Sequence, residues 1–205
     1  MVNIIEYQNL KLEIPEEIYL PSDDSYLLIE NLKVKSDDTV LELGTGSGLI
    51  ALVAAQIARK VIATEISPVS FECANHNVKI NQLANKIEVR KGFLFEPILP
   101  GETFDLILFN PPYLPEDKVT EKKDDWLEKA WDGGKLGRKL IDPFIKQCKI
   151  FLRPAGRVQL IQSSLSNISK SCVLLGEQGF HVEISASKSF FFETIVVIDA
   201  FLEND

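Results

Sequence analysis

Short apolar runs alternate with amphipathic stretches from residue 38 to the end of the chain, and this alternation limits the fold more than any other feature. Strand-like and helix-like segments that take turns are typical of a mostly parallel sheet with helices on both faces. The sequence predicts strands at residues 39–43, 61–64, 87–90, 104–109, 157–161, 181–187 and 191–198. Helices are predicted at residues 49–59, 68–80, 136–152 and 167–176.

The last two strand-like runs lie close enough together to form an antiparallel pair. An open sheet with an antiparallel strand inserted at its end is the arrangement of class I methyltransferases, and it separates them from dinucleotide-binding dehydrogenases. We therefore predict an α/β chain with the class I (Rossmann-like) methyltransferase fold, in which a mostly parallel seven-stranded sheet carries a C-terminal antiparallel hairpin. With 205 residues, one domain spanning residues 1–205 is expected.

The charge of the chain bears on its partners. Acidic residues outnumber basic ones by 30 to 22, for a net charge of −8. Nucleic-acid affinity rests largely on the neutralisation of phosphates, so this balance argues against nucleic acid as a direct partner. No apolar run reaches the roughly 20 residues of a membrane span, and the N-terminus lacks the pattern of a secretion signal. We therefore expect no membrane partner.

The cysteines and histidines offer no metal centre. Cys73, Cys148 and Cys172 are widely spaced and odd in number, which predicts buried free thiols in a reducing cytosol and hence a cytoplasmic protein. Only His76 and His181 are present, which argues against a zinc site on this chain and against a Ser-His-Asp triad.

A glycine-rich turn joins the first predicted strand to the first predicted helix. Residues 40–48 read VLELGTGSG, so Glu42 precedes Gly44, Gly46 and Gly48. Glycines let the backbone approach a ligand closely, and the helix N-terminus offers N–H groups to a carboxylate or phosphate. Glu65, at the end of the next predicted strand, is placed to accept both hydroxyls of a ribose. Dinucleotide sites and plain turns share the glycine pattern, and a solvated loop acid is the alternative for Glu65.

A second motif, Asn110-Pro111-Pro112-Tyr113, follows directly on the apolar run 104–109. Open α/β sheets bind ligands at the carboxyl ends of strands, where this amide is expected. The two prolines remove two backbone donors and keep the chain extended, so the Asn110 side-chain oxygen and a neighbouring carbonyl can each accept one N–H of a planar NH₂ group. Tyr113 can stack on the flat group. The alternative is a strand end with an Asx-type turn and a buried tyrosine.

Four segments together resemble one family. The turn at residues 40–48 is similar to the S-adenosylmethionine loop of class I methyltransferases. Residues 19–25 (YLPSDDS) resemble the Y-x-P-x-x-D-S/T entry segment of HemK-like protein-glutamine methyltransferases. Residues 130–138 (AWDGGKLGR) are similar to the W-x-G-G-x-x-G-R segment of the short archaeal and eukaryotic members. The N-P-P-Y motif completes the set in the family's order, although adenine and guanine amino-methyltransferases share it.

The resemblance implies roles for individual residues. The catalytic residues that hold the substrate amide would be Asn110, Pro111, Pro112 and Tyr113. The cofactor, S-adenosyl-L-methionine, would be bound by Tyr19, Pro21, Asp24, Ser25, Glu42, Gly44, Thr45, Gly46, Gly48, Glu65, Ile66, Phe93, Leu94 and Asn110. Asp24 and Ser25 would close over its methionine end, with helix capping as the alternative. Residues 1–38 would cover the cofactor, and residues 114–135 would form a substrate-side loop. Arg138, which follows this loop, would have a structural role.

One position departs from the family pattern. The family carries Asp in a G-D-L-F context after the third strand and uses it on the adenine amino group. Residues 92–95 read GFLF here, so Phe93 occupies that position. Adenine binding is therefore expected to rely on backbone groups near Leu94 and on apolar packing.

The resemblance implies a reaction and partners. The methyl of S-adenosylmethionine would go to the side-chain amide nitrogen of the glutamine in the Gly-Gly-Gln motif of a class-1 translation release factor. Bacterial members carry a helical substrate-binding domain for which the residues before Glu42 leave no room, and the short members work with a small zinc-binding activator subunit. That subunit would form a heterodimer at the strand edge 87–89. Transfer to adenine N6 or guanine N2, and an inactive cofactor-binding scaffold, stay open as alternatives.

Overall fold

The computed structural model describes residues 1–115 and 133–202. This part of the chain forms two compact units, Met1–Glu102 and Thr103–Asp205. Seven of the described strands belong to one sheet, in the order β5-β4-β3-β6-β7-β9-β8, and two form a separate pair, β1-β2. The strands are β1 Val2–Tyr7, β2 Leu10–Pro15, β3 Thr39–Leu43, β4 Lys60–Glu65, β5 Ile87–Lys91, β6 Phe104–Phe109, β7 Leu152–Ser163, β8 Phe180–Ser189 and β9 Thr194–Leu202.

Helices separate the strands as the alternating pattern predicts. They are α1 Asp23–Glu30, α2 Leu49–Ile57, α3 Pro68–Ile80, α4 Ile141–Cys148 and α5 Ile168–Glu177, and two 3₁₀ turns lie at Lys149–Phe151 and Ser164–Ser166. α3 begins where the sequence predicts because Pro68 suits the first helical position and the Ser67 hydroxyl accepts from the Ser70 N–H at 3.3 Å.

The pairing of the strands confirms the predicted α/β fold. In the first unit β3, β4 and β5 are parallel, and every residue of β3 is buried. Strands that are buried on both faces read as continuous apolar runs, which is why β3 and β6 were visible in the sequence. In the second unit β6 and β7 are parallel, while β9 runs antiparallel to both β7 and β8. The C-terminal antiparallel hairpin is therefore present.

Several predicted boundaries are wrong: β7 begins at Leu152 and not at residue 157, and β9 ends at Leu202 and not at residue 198. Two further differences have a local backbone cause. The helix predicted from residue 136 begins only at Ile141, because Gly134 and Gly137 adopt positive φ angles of 72° and 68° that a helix does not accommodate. The strand predicted from residue 191 begins at Thr194, because a tight turn closed by the Phe190 N–H on the Glu193 carbonyl, at 2.7 Å, precedes it.

The N-terminal hairpin of β1 and β2 was not predicted. Its second strand shows the alternation of a half-buried strand, with Leu10, Leu12 and Ile14 buried. Side chains of α3 cover the free edge of this strand: Asn77 Oδ1 accepts from the Glu13 N–H at 2.9 Å, and Asn81 Oδ1 accepts from the Lys11 N–H at 3.0 Å. Within the described ranges, no helix has both the length and the apolarity needed to cross a membrane.

Candidate active site

The glycine-rich turn after β3 has an open, ligand-accessible backbone. Gly44, Gly46 and Gly48 have φ angles of 63°, 56° and 87°, a region that favours glycine. A Cβ added at Gly46 would meet no heavy atom within 4 Å, whereas one at Gly48 would lie 3.4 Å from Ala74 of α3. Gly48 therefore serves the packing of the helices, and Gly46 leaves free space beside the turn into which a ligand can come close.

Glu65 is held rigidly beside this turn. Its carboxylate oxygens accept from the Gly46 N–H at 2.9 Å and from the Ser67 N–H at 2.8 Å, and the side chain is only 7% exposed. Burial raises the pKa of this carboxyl, and the backbone N–H groups oppose the rise. The alternative of a solvated loop acid is therefore wrong. Each oxygen still has a second lone pair, so the carboxylate can also accept from hydroxyl groups.

Glu42 lies within β3 and bonds to Thr45 of the glycine-rich turn. Its Oε2 accepts from the Thr45 hydroxyl at 2.6 Å, and the side chain is 2% exposed. Burial raises the pKa of this carboxyl to about 8, with the nearby charge of Glu65 as a smaller cause. Near neutral pH the protonated form of Glu42 is therefore favoured.

The raised pKa of Glu42 predicts a pH-dependent stability. The folded chain holds a proton that the unfolded chain releases above its ordinary pKa of 4.5, so the free energy of unfolding falls between about pH 4.5 and pH 8. Glu42→Gln keeps a neutral side chain at every pH. We expect the variant to match the wild type near pH 4.5 and to exceed it by on the order of a few kcal/mol at pH 8.5, measured by denaturant unfolding.

The matched control is Glu72→Gln, which neutralises an exposed glutamate of α3 in the same unit. Its unfolding free energy should follow the wild type across the pH range. If the curves of Glu42→Gln and the wild type run parallel from pH 4.5 to 8.5, Glu42 is ionised in the folded chain and the assignment is wrong.

The entry segment is organised around a buried acid, Asp24. Its Oδ1 accepts from the Ser25 N–H at 2.6 Å, from the Ser25 hydroxyl at 3.2 Å and from the Tyr19 hydroxyl at 3.4 Å. Burial, and then the charge of Asp24, raise the pKa of Tyr19. The N-cap position of α1 is Ser22, and Asp24 and Ser25 lie in the first turn, where Asp24 bonds the Ser25 N–H; this local bond is compatible with a cofactor contact. Pro21 is half-buried beside them.

The turn after β5 contains the departure from the family pattern. Leu94 is buried with a φ of 46°, and its carbonyl accepts from the Thr64 hydroxyl at 3.2 Å. The Phe93 N–H donates to Glu96 Oε2 at 3.3 Å, and the Phe93 ring is half-buried. Ile66, after β4, is 45% exposed. The Leu94 carbonyl thus bonds to β4 and the Phe93 N–H bonds within the turn, and the Phe93 and Ile66 side chains offer apolar packing to a flat ring.

The N-P-P-Y segment follows β6 without a break. Asn110 is the first residue after the strand and is half-buried, and its side-chain oxygen lies below the surface. Pro111 and Tyr113 are buried, and Pro112 is half-buried. A segment with two fixed φ angles and a buried tyrosine has little freedom to move. The Asn110 side chain is thus held at the carboxyl end of β6 on a rigid backbone.

A second glycine turn clamps this segment. The Gly133 N–H donates to the Leu114 carbonyl at 3.0 Å, and the Lys139 N–H returns to the Gly133 carbonyl at 2.8 Å. A Cβ at Gly137 would overlap the Tyr113 carbonyl oxygen and would lie 2.8 Å from the Ser166 Cβ. The turn therefore packs backbone against backbone on the N-P-P-Y segment. The predicted loop of residues 114–135 otherwise lies mostly outside the described residues.

Arg138 anchors the same turn. Its guanidinium donates to the Ser166 carbonyl at 2.6 Å, to the Asn167 carbonyl at 2.9 Å, and twice to Asp142 Oδ1 at 2.6 and 2.9 Å, with 5% of the side chain exposed. It thereby ties the turn to α4 and to the 3₁₀ turn before α5. These contacts agree with the structural role that is expected for Arg138. No motif marks Ser166 in the sequence, although this buried residue packs against Gly137 and accepts from Arg138.

The chain belongs to the Methyltransferase small domain family, whose sequence profile matches residues 22–130, and the observed fold agrees with this class of protein. A protein of Methanocaldococcus jannaschii, provisionally named a protein N5-glutamine methyltransferase, is 41% identical over 198 residues, which cover 96% of this chain and 98% of that protein. The chain is thus a member of the protein-glutamine methyltransferases within this family.

Two further comparisons agree with this placement. A release factor glutamine methyltransferase of Clostridium acetobutylicum is 27% identical over 90% of this chain and 68% of its own length. The E. cuniculi Mtq2-Trm112 complex, described as responsible for methylation of the eRF1 translation termination factor, contains a chain that matches with a TM-score of 0.67 and 23% identity. That match covers 91% of this chain and 99% of the solved one, and it shows the shared fold.

Proposed function

We propose that this protein transfers the methyl group of S-adenosylmethionine to the side-chain amide nitrogen of a glutamine in a class-1 translation release factor, within its Gly-Gly-Gln motif. The observation that carries the proposal is the Asn110 amide at the end of β6, held on a backbone that two prolines and the Gly137 turn fix in place. The names of the relatives support glutamine as the acceptor.

The chemistry asks little of the protein beyond positioning. The amide nitrogen is a weak nucleophile because its lone pair is delocalised into the carbonyl. When Asn110 Oδ1 and a neighbouring backbone carbonyl each accept one N–H, the lone pair points out of the amide plane and delocalisation falls. The same two acceptors stabilise the positive charge that grows on nitrogen as the new C–N bond forms. The proton then leaves from nitrogen to water, so no strong base is required.

The residues of the first unit fit S-adenosylmethionine. When bound, the cofactor would supply a methyl group on a sulfonium, and the sulfur would keep the electron pair of the C–S bond that breaks. Free space at Gly46 admits a ligand to the turn, and the Glu65 carboxylate would accept from the ribose hydroxyls. The hydrogen-bonded group of Tyr19, Asp24 and Ser25 would lie at the amino-acid end. Phe93 and Ile66 would pack on adenine.

Glu65 has a testable part in binding. We expect Glu65→Gln to raise the Kd for S-adenosylmethionine by 10- to 100-fold, because a charged acceptor contributes about 1.5–3 kcal/mol per hydrogen bond. Titration calorimetry with adenosine and with 2′-deoxyadenosine isolates the ribose contact. The wild type should bind the deoxy analogue more weakly, and the variant should bind both alike. An undiminished preference for adenosine in the variant would place the ribose elsewhere.

A small zinc-binding activator subunit is the partner we propose, forming a heterodimer. β5 is the outermost strand of its side of the described sheet, with Glu88 exposed and Val89 half-buried, and an unpaired edge of this kind suits strand addition. The E. cuniculi complex, in which the related chain is solved together with a second protein, supports this proposal. High solubility and full activity of the chain expressed alone would contradict it. We propose the cytoplasm as its location, in keeping with the three free cysteines.

The proposed function is tested by radiolabelled methyl transfer. The chain, alone and with a co-purified activator subunit, is offered a release factor, its Gly-Gly-Gln Gln→Ala variant, and nucleic acid. Label on the release factor that disappears in the Gln→Ala variant is the expected result. Label on nucleic acid alone would move the acceptor to adenine N6 or guanine N2, a reading that the net charge of −8 disfavours.

A further inference from the structure

Two neighbouring aromatic side chains project into solvent at the turn between β8 and β9. Phe191 is 93% exposed and Phe192 is 84% exposed, and their rings stack edge to face with centroids 4.6 Å apart. Phe190, beside them, is 38% exposed. We name these three residues the aromatic tip. Folded chains seldom expose adjacent large rings without a use for them, and exposed aromatic clusters are typical of protein-binding surfaces.

Hydrogen bonds hold the base of the aromatic tip in one position. The Ser163 hydroxyl donates to Glu193 Oε2 at 2.6 Å, and the Thr194 N–H donates to the Ser164 hydroxyl oxygen at 3.0 Å. The Ser189 and Thr194 hydroxyls are 3.1 Å apart across the hairpin. The rings therefore stand on a fixed turn, so that less conformational entropy of this turn is lost when a partner binds.

The strand register places the aromatic tip near the N-P-P-Y segment, within the second unit. Phe109 of β6 pairs with Leu160 of β7, and Ser163, three residues further along β7, pairs with Ile195 of β9. Strands rise about 3.3 Å per residue and lie about 4.8 Å apart. The base of the tip therefore lies roughly 10 Å beyond the end of β6, measured along the strands, and roughly 10 Å away across the strands. Both places are at the same end of the strands.

We propose that the aromatic tip binds an apolar segment of the protein substrate and thereby selects that protein over free glutamine peptides. The proposal rests on the proposed function and deepens it. A separation of roughly 14 Å is spanned by about five residues of extended chain, so a substrate segment can reach the tip while its glutamine lies at Asn110. The net charge of −8 opposes an anionic membrane as the occupant.

The 3₁₀ turn at Ser164–Ser166 links the two places physically. Ser164 bonds the base of the tip, and Ser166 packs against Gly137, which in turn lies against the Tyr113 carbonyl. Leu165, between the two serines, is 48% exposed and extends the apolar surface from the tip toward the N-P-P-Y segment. The proposed docking surface is therefore continuous with the site of the acceptor amide.

The test compares a double variant, Phe191→Ser with Phe192→Ser, with the control Ile150→Ser. Ile150 is 72% exposed in the 3₁₀ turn that precedes β7, at the opposite edge of the sheet. Each form, together with its activator subunit, is assayed on the whole release factor and on a three-residue glutamine peptide, which at about 3.3 Å per residue is too short to reach the tip. We expect the double variant to raise KM for the protein by 10- to 100-fold, with kcat and the peptide kinetics unchanged.

Binding without turnover gives a second readout. The Kd for the unreactive Gln→Ala release factor should rise by the same factor in the double variant and stay constant in the control. Equal losses on protein and peptide, or no loss on either, would overturn the proposal. A wild type that sediments as a dimer and a double variant that sediments as a monomer would assign the tip to a second copy instead. A wild type that transfers no methyl to the release factor would contradict the proposed function itself.

Discussion

Asn110→Ala is expected to lower kcat by two to three orders of magnitude while the Kd for S-adenosylmethionine changes little. The loss follows from removing one of the two acceptors that orient the substrate amide and stabilise its growing charge, an effect of the size seen when a single preorganised hydrogen-bonding group is deleted at a reaction centre. Single-turnover methyl transfer, combined with calorimetric titration of the cofactor, measures both quantities on the same preparation.

Asn110→Asp is the matched control for shape. The aspartate keeps a side-chain oxygen at the same place after β6 and should retain more turnover than alanine, because an acceptor for the substrate N–H remains. If cofactor binding and turnover fall together in Asn110→Ala, the residue serves the cofactor or the fold, and the assigned part in holding the amide is wrong. Equal turnover in the alanine and aspartate variants would exclude the oxygen as the group that matters.

Gly137→Ala is expected to disable the enzyme through the backbone. The added Cβ would overlap the Tyr113 carbonyl oxygen, and alanine at a φ of 68° carries a further cost of about 1 kcal/mol. Overpacking of this kind costs about 1–3 kcal/mol, and a shift of about 1 Å in a positioning segment lowers turnover by about 100-fold. We expect a Tm lower by roughly 5–15 °C and kcat lower by at least about 100-fold, measured by thermal unfolding and methyl transfer.

Gly101→Ala separates the two causes. Gly101 has a comparable φ of 84°, but a Cβ there would meet nothing within 4 Å. This variant should lose only a few degrees of Tm and keep its turnover. If both glycine variants lose stability alike and both keep their activity, the turn at residues 133–137 does not position the N-P-P-Y segment.

Much of the fold is predictable from the sequence because buried parallel strands carry a strong local signal. The runs at 39–43 and 104–109 match β3 and β6 residue for residue, and α3 begins at Pro68 as expected. At two of the wrong boundaries the cause is local backbone chemistry that apolar periodicity does not report. The left-handed glycines delay α4 to Ile141, and the turn at Phe190–Glu193 delays β9 to Thr194.

For the candidate site, too, the sequence and the tertiary structure supplied different information. The sequence by itself determined which residues are proposed for it, because a glycine-rich turn, an acid after the next strand and an N-P-P-Y segment are local patterns with local chemistry. Only the tertiary structure decided the burial, the pKa and the contacts of these residues. Glu42 is buried with a raised pKa, Glu65 accepts from two backbone N–H groups, and Gly137 packs against the Tyr113 carbonyl. These properties depend on desolvation and on contacts between residues distant in the chain, which no local pattern encodes.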